Sequence, residues 1–185
     1  MNSPGDERKP LPVFESYPAW MVSLSVGLNL SIYALASVLM ARLGWEFLAA
    51  YLLFLACLEV NLLTKSCVYC AYYGKVCFSG KGKVAAWLFR RGDPSRFASR
   101  EVTWLALLPD LLVTLMPLGA GLLLLIREID WMVLLLMIGL IILAFPGTGL
   151  VRSQLACCHC RQRELGCPAE QLFRAREGVE PTHPA

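Results

Sequence analysis

The chain carries little charge. Only 17% of its 185 residues are Asp, Glu, Lys or Arg, whereas about a quarter of the residues in a typical soluble domain are charged. Hydrophobic residues make up 57% of the chain, and a domain of this size cannot bury so many apolar side chains in one water-soluble core. The scarcity of charge argues against a soluble domain, excludes a disordered chain or a coiled coil, and predicts a membrane protein.

Net charge and histidine are scarce as well. The formal net charge is +3, which does not favour a nucleic-acid partner. There are only two histidines, and no pair of them lies within an apolar run to hold a haem. The glycines around Lys81 lack the spacing of a phosphate-binding P-loop, and no Ser or Thr follows that lysine. These absences exclude the common haem and nucleotide sites.

Four apolar runs are long enough to cross a bilayer, which takes about 20 residues as a helix. They are residues 20–40, 45–63, 104–126 and 131–151. Each begins with a tryptophan, whose ring favours the headgroup level. The connections at 41–44 and 127–130 are so short that the helices they join must be antiparallel. The sequence therefore predicts an all-α integral membrane protein with four transmembrane helices arranged as two antiparallel hairpins.

Lys and Arg are distributed unequally between the two ends of these spans. Fifteen of them fall in the two termini and the central loop, and only Arg42 and Arg127 fall in the two short connections. The positive-inside rule then predicts that both termini and the central loop are cytoplasmic. The first apolar run begins too late and is too long for a cleaved signal peptide, so we expect a retained span.

This pattern divides the chain into five segments. Residues 1–19 form a polar tail, 20–77 the first hairpin with a cysteine motif, 78–103 a basic loop, 104–167 the second hairpin with its own motif, and 168–185 a second tail. Both tails lack the apolar surface needed to order themselves, so we expect them to be mobile. In the loop, Val84, Trp87 and Leu88 share one helical face among cations, which predicts an interfacial helix for lipid or a soluble protein partner.

Two similar cysteine motifs follow the second helix of each hairpin. Both contain the pattern C-x2-C-x6-C; the first is formed by Cys67, Cys70 and Cys77, and the second by Cys157, Cys160 and Cys167. The repetition suggests two copies of one unit. Even without a duplication, the two motifs emerge from the same predicted face of the membrane and can meet there.

Cytoplasmic C-x2-C pairs bind metal more often than they form disulfides. Four thiolates, from Cys67, Cys70, Cys157 and Cys160, would complete a tetrahedral site for zinc or ligate an iron–sulfur cluster. The remaining Cys77 and Cys167 form a second pair of candidate cofactor-binding residues. That pair could join an iron–sulfur cluster, close a redox disulfide, or complete a second metal site with Cys158 or His159.

Three polar side chains stand out within the spans. Glu59 and Asp110 lie at similar depth near the cytoplasmic ends of spans two and three, and Asn29 lies near the middle of span one. Carboxylates at such depth pair with a cation or serve an ion path, and we expect Lys65 or Arg100 as partners. Asn29 lies on a Ser and Tyr stripe and is expected to hydrogen-bond between helices.

Two functions stay open on this evidence, and whether the protein is an enzyme is not decided by it. In the first, the cysteine site takes part in membrane-associated electron transfer or thiol redox chemistry. In the second, a structural zinc clip ties the two hairpins of a membrane scaffold or accessory subunit together, since structural zinc uses the same ligand spacing. If the sidedness were reversed, the cysteines would be expected to form disulfides instead.

Overall fold

The computed structural model describes residues 13–98 and 104–163. Within them the protein is helical, with one isolated bridge between Phe14 and Cys160 in place of any strand. Seven α-helices run in chain order: α1 Ala19–Leu43, α2 Trp45–Lys65, α3 Lys81–Leu88, α4 Ser95–Ala98, α5 Trp104–Arg127, α6 Trp131–Ile142 and α7 Thr148–Val151. Four helical stretches are long and apolar enough to cross a membrane: Ala19–Leu43, Trp45–Tyr69, Leu108–Arg127 and Trp131–His159. The expectation of an integral membrane protein with four spans is confirmed by that length and composition.

Helix α1 lies at the centre of the bundle and contacts α2, α5 and α6. Ala36 and Leu39 of α1 are fully buried, beside Tyr51 of α2 and Leu140 of α6. Many other apolar side chains of the spans face outward, including Leu53, which is 66% exposed. A bundle that buries one stripe of each helix and exposes the rest to this extent is suited to lipid rather than water.

Helix α5 continues through Pro109 and Pro117. A proline has no N–H, so Pro117 cannot donate to the carbonyl of Val113, four residues earlier. The buried Tyr51 supplies the missing donor, and its hydroxyl lies 2.9 Å from the Val113 oxygen. This bond satisfies a phenol and a carbonyl that would otherwise be unpaired in an apolar core.

The fourth span changes its helical pitch in the region around Pro146. Helix α6 is followed by a π-helical turn at Leu143–Gly147, by α7, and by a second π-helical turn at Arg152–Ala156. The missing N–H of Pro146 breaks the regular ladder at that point, and a wide turn accommodates the gap. The hydroxyl of Thr148 donates to the Ala144 carbonyl in the same region. The helix thereby reaches the second cysteine motif without ending at its proline.

The two short connections lie together at one end of the bundle. Arg42, near the end of α1, forms an ion pair of 3.0 Å with Asp130, which precedes α6. The same Asp130 caps α6 by accepting a hydrogen bond from the Met132 N–H at 2.8 Å. Gly44 joins α1 to α2 with a φ of 153°, a backbone conformation that favours glycine.

Some of the expectations fall on residues that the structure does not describe, namely Cys167, Arg100 and the tail 168–185. Of the amino-terminal tail, residues 13–18 are described, and they differ from the expected mobile segment. Tyr17 is only 5% exposed. The aromatic rings of Phe14 and Tyr17 supply apolar surface that the surrounding Pro and Glu residues obscured in the sequence.

Candidate functional site

Three segments of the chain meet at the end of the bundle that carries the cysteines. They are residues 13–18, 66–80 and 155–162, and we call them together the cysteine cap. Its centre is formed by Tyr17 and Tyr72, on which Met21 of the neighbouring first turn of α1 packs, and all three are buried. The rings of Tyr17 and Tyr72 have centroids 5.5 Å apart. Aromatic packing thus provides the cap with a small core of its own, separate from the core between the helices.

Both tyrosine hydroxyls cross from one segment of the cap to another. The hydroxyl of Tyr17 donates to the Ala156 carbonyl at 2.8 Å. The hydroxyl of Tyr72 donates to the Phe14 carbonyl at 2.7 Å and accepts from the Arg161 N–H at 3.0 Å. Because burial raises the pKa of both tyrosines, with Cys160 adding to the effect on each, both phenols keep their protons and remain donors at neutral pH.

Further bonds to the backbone join the same segments. The N–H of Ala71 donates to the Gln162 side-chain oxygen at 3.0 Å, and Gln162 is buried. The Phe14 N–H donates to the His159 carbonyl at 3.1 Å, and the Tyr17 N–H to the Val76 carbonyl at 3.0 Å. The loop of the first cysteine motif is therefore attached to the loop of the second both directly and through residues 13–18.

Three cysteines pack against the core of the cap. Cys70 and Cys77 come from the first motif and Cys160 from the second. Cys67 lies close enough to Cys70 and Cys77 to interact with them electrostatically. Cys157 is exposed, and the Cys158 thiol donates to the Ser153 carbonyl at 3.0 Å. None of the seven cysteines in the described ranges forms a disulfide.

The sulfur of Cys77 has a defined polar environment. The N–H of Gly82, in the first turn of α3, donates to it at 3.2 Å, and the Ser79 hydroxyl lies 3.4 Å away. A backbone N–H directed at sulfur is the kind of contact that supports a thiolate ligand or nucleophile. Gly82 is required for this approach, since a Cβ there would press against the backbone oxygens of Tyr72 and Lys75.

Within residues 13–98 and 104–163, no three His, Cys, Asp or Glu side chains are grouped so that they could hold a metal ion. The structure brings Cys70 and Cys160 of the expected quartet onto one core, with Cys67 beside Cys70 and Cys157 on the surface. The expected metal ligands therefore stay a prediction, and so does the pairing of Cys77 with Cys167.

Glu59 has a partner other than the expected Lys65 or Arg100. Its carboxylate oxygens lie 2.8 and 2.6 Å from the Lys81 amine, and one of them also accepts the Tyr33 hydroxyl at 2.7 Å. Lys81 is the first residue of α3 and precedes Gly82. This partly buried cluster attaches the start of α3 to helices α1 and α2, and thereby positions the Gly82 N–H that donates to Cys77.

Asn29 and Asp110 line a cavity between the helices of about 500 Å³, together with Tyr33. Asn29 donates to the Ser25 carbonyl of its own helix at 2.9 Å, so the expected bond between helices is made instead by Tyr33 of the same stripe. Asp110 is exposed and lies near enough to Tyr33 to interact with it electrostatically.

Sequence reasoning missed Tyr17, Tyr72, Gln162 and Lys81. Two of them carried a signal, because Tyr72 lies between cysteines of the first motif and Tyr17 is an aromatic residue in an otherwise polar segment. Neither the protein-family models nor the curated proteins and solved structures with which the chain was compared match it.

Proposed function

We propose that the protein is an integral membrane protein whose cysteine cap is a thiolate site at the cytoplasmic face. The site binds zinc or an iron–sulfur cluster and takes part in membrane-associated electron transfer or thiol redox chemistry. Its core ligands are Cys67, Cys70, Cys157 and Cys160, and its second pair is Cys77 and Cys167.

One observation carries the proposal: cysteines of both motifs, Cys70, Cys77 and Cys160, pack on a single core. Their loops are far apart in the chain, yet they are joined by the Ala71–Gln162 and Tyr72–Arg161 hydrogen bonds, which span 91 and 89 residues. A thiolate site requires several sulfurs from distant parts of a chain to be neighbours. Closing the site around an ion requires side-chain rotations and an inward movement of Cys157.

The same bonds favour reactive sulfurs over a structural clip. The loops of the cap are already tied by tyrosine packing and by the cross-segment hydrogen bonds described above, to which Arg161 and Glu15 add another at 3.4 Å. Metal coordination is not needed to hold them together, so the thiols are available for chemistry. Oxidation of two thiols to a disulfide would release two protons and two electrons, which the disulfide of a partner protein could accept.

The cytoplasmic sidedness rests on the excess of Lys and Arg in the segments that include the cap and the central loop. Helix α3 of that loop exposes Trp87 by 84% and Leu88 by 51%, beside Lys83 and Arg90. An apolar ring among cations suits the membrane surface or a soluble redox partner that approaches along it.

Metal analysis of protein purified without oxygen tests the site directly. We expect stoichiometric zinc, or iron with acid-labile sulfide and a brown colour, and we expect the metal to be lost in the Cys70→Ser/Cys160→Ser variant. The matched control is Cys57→Ser, because Cys57 lies in α2 away from the cap. If the unaltered protein contains metal only at the background level, the proposed metal site is wrong. If the two variants contain equal amounts of metal, Cys70 and Cys160 are not its ligands.

A redox titration tests the chemistry separately. The Cys77→Ser/Cys167→Ser variant should keep its metal but lose its redox midpoint and its ability to reduce a partner disulfide. A titration identical to that of the unaltered protein would overturn the redox function.

The second candidate is a scaffold or accessory subunit, and a specific feature favours it. Tyr17 and Tyr72 occupy the centre of the cap, between the two cysteine loops, as residues with a structural role would. On this reading the cysteines are packing residues or ligands of a structural zinc clip, and the redox titration is silent in every variant.

A further inference from the structure

The cavity of about 500 Å³ between the helices lies within the range of roughly 300 to 1,000 Å³ that is usual for small-ligand pockets. All four spans contribute to its wall, with Asn29 and Tyr33 from α1, Leu58 from α2, Asp110 and Thr114 from α5, and Arg152 from the fourth span. Most of the wall is apolar. Nothing in the proposed thiol chemistry uses this space.

Three neutral polar residues of the wall already have hydrogen-bond partners. Asn29 donates to Ser25, Tyr33 donates to Glu59, and Thr148 donates to Ala144. Asp110 and Arg152 differ, because across the described residues neither has an ion-pair partner, although both line the same cavity. The cavity therefore presents one carboxylate and one guanidinium to whatever fills it.

A second cavity, of about 250 Å³, adjoins the first. It lies between α2 and α5, where Phe54 and Asn61 face Pro109, and Leu58 lines both cavities. Around this seam the apolar side chains Val60 and Leu108 are about half exposed. A hydrocarbon chain can therefore lie along the seam while the polar end of the molecule reaches Asp110 and Arg152, which line the first cavity and are exposed.

The two charges also lie near one face of the membrane. Arg152 is 21 residues beyond Trp131, which is the length of a full span, and Asp110 is six residues beyond Trp104 at the start of α5. Arg152 is the first residue of the π-helical turn that leads to Cys157, so this face is the one that carries the cysteine cap. Phospholipid headgroups occupy this level of the bilayer.

We propose that the cavity binds one phospholipid with a primary ammonium and a phosphate, of the phosphatidylethanolamine type. The ammonium pairs with Asp110, the phosphate accepts from the Arg152 guanidinium, and the acyl chains lie along the seam between α2 and α5. Guanidinium and phosphate match in geometry and bond in a bidentate manner. A choline headgroup has no N–H to donate to the carboxylate, and a glycerol headgroup has no cation, so each satisfies only one of the two charges.

Lipid retention tests the proposal. The full chain is reconstituted in nanodiscs with equal parts of phosphatidylethanolamine, phosphatidylcholine and phosphatidylglycerol, then transferred to detergent, and its retained lipid is identified by native mass spectrometry. We expect one phosphatidylethanolamine per chain and about tenfold lower occupancy for Asp110→Asn and for Arg152→Gln, since each loses a charge-assisted bond. Arg42→Gln, at the other end of the bundle, is the matched control and should retain the lipid.

The variant Ala144→Leu fills part of the cavity and keeps both charges, so it should also lower occupancy. Equal retention of the three lipids would overturn the headgroup assignment. Unchanged retention in Asp110→Asn or in Ala144→Leu, with the helical circular dichroism intact, would overturn the site. Binding of soluble phosphoethanolamine that displaces no lipid would overturn the lipid as its ligand. None of these outcomes depends on the metal content or redox behaviour of the cap.

Discussion

Tyr51 is the residue that allows a proline inside helix α5. Its hydroxyl donates to the carbonyl that Pro117 leaves without a partner. We expect Tyr51→Phe to lower the free energy of unfolding by about 1 kcal/mol, because a hydrogen bond between membrane helices is worth roughly that much. Reversible unfolding in mixed detergent measures the change.

A double-mutant cycle separates this bond from the packing of the ring. The Pro117→Ala substitution restores an N–H that can donate to the Val113 carbonyl. Tyr51→Phe should therefore lower the free energy of unfolding clearly less in the Pro117→Ala background than in the unaltered protein. Equal costs in the two backgrounds would mean that the hydroxyl is not compensating for the proline.

Gly82 controls the approach of α3 to the first cysteine loop. A Cβ at this position would lie 2.5 Å from the Lys75 carbonyl oxygen and would also overlap that of Tyr72, and backbone atoms cannot give way as a side chain can. We expect Gly82→Ala to destabilise the cap by roughly 1 to 3 kcal/mol, as overpacking does elsewhere. Faster labelling of Cys77 by a maleimide would report the change, because α3 would move away from this half-buried sulfur and leave it more exposed.

Gly119→Ala is the matched control for this prediction. An added Cβ at Gly119 meets nothing within 4 Å, so labelling of Cys77 should stay as in the unaltered protein, and α5 should gain slightly in helix propensity. Equal labelling rates for the two glycine variants would contradict the role assigned to Gly82.

For single residues, the sequence indicates which side chains need a partner better than it indicates which residue that partner is. Glu59 could be identified as a buried carboxylate that needs a cation, because such groups are costly inside a membrane. The identity of the cation could not be deduced, since Lys81 reaches Glu59 only after the loop 66–80 has folded back over α2. A loop of this kind has no periodicity that would reveal its path.

The spanning helices could be predicted almost to the residue. Expected starts at Trp45, Trp104 and Trp131 coincide with the observed starts of α2, α5 and α6, because length, hydropathy and interfacial tryptophans act locally. The π-helical turns of the fourth span were beyond such reasoning. A proline inside an apolar run predicts a break, yet whether the chain kinks, ends or widens depends on what surrounds it.

Asp130 has two roles at the start of α6, and substitutions distinguish them. Asp130→Ala removes both the helix cap, in which Asp130 accepts from the Met132 N–H, and the ion pair with Arg42. It should lower the free energy of unfolding by about 1 kcal/mol. Asp130→Asn keeps a capping oxygen, and Arg42→Gln leaves the cap untouched. Because the ion pair is exposed, each of these two variants should cost less than about 0.5 kcal/mol in detergent unfolding.

A different ranking of these variants would change the explanation of how this end of the bundle is stabilised. If Arg42→Gln were as destabilising as Asp130→Ala, the ion pair between the two connections would matter more than the helix cap. High salt would then lower the free energy of unfolding of the unaltered protein by a similar amount, because salt screens exposed ion pairs.

For the whole molecule, the charge distribution predicts the orientation in the membrane. We expect a variant that keeps only Cys70 and Cys160 to react with an impermeant maleimide in inverted vesicles and not in intact cells. The matched control places Ile129→Cys in a cysteine-free background, because Ile129 is 84% exposed at the other end of the bundle. That variant should react in intact cells, and the reverse pattern for either variant would contradict the orientation.

The meeting of the two cysteine motifs could be anticipated from topology, and the way in which they meet could not. In the two predicted hairpins, spans two and four run in the same direction and bring both motifs to one end of the bundle. Tyr17 and Phe14, which precede the first span, pack between the two cysteine motifs. These contacts join residues that are 58 positions apart for Phe14 and Tyr72 and 139 apart for Tyr17 and Ala156, so they leave no local trace in the sequence.

The position of residues 13–18 between the two cysteine loops has a consequence for the order of events during synthesis. This segment is synthesised before both cysteine loops, but the Ala156 carbonyl that accepts from the Tyr17 hydroxyl is made 139 residues after that tyrosine. The cap can therefore close only after the fourth span has been threaded into the bilayer. Until that moment the sulfurs of Cys67, Cys70 and Cys77 lack their neighbours from the second motif, so a site that needs both motifs can be completed only once the fourth span is in place.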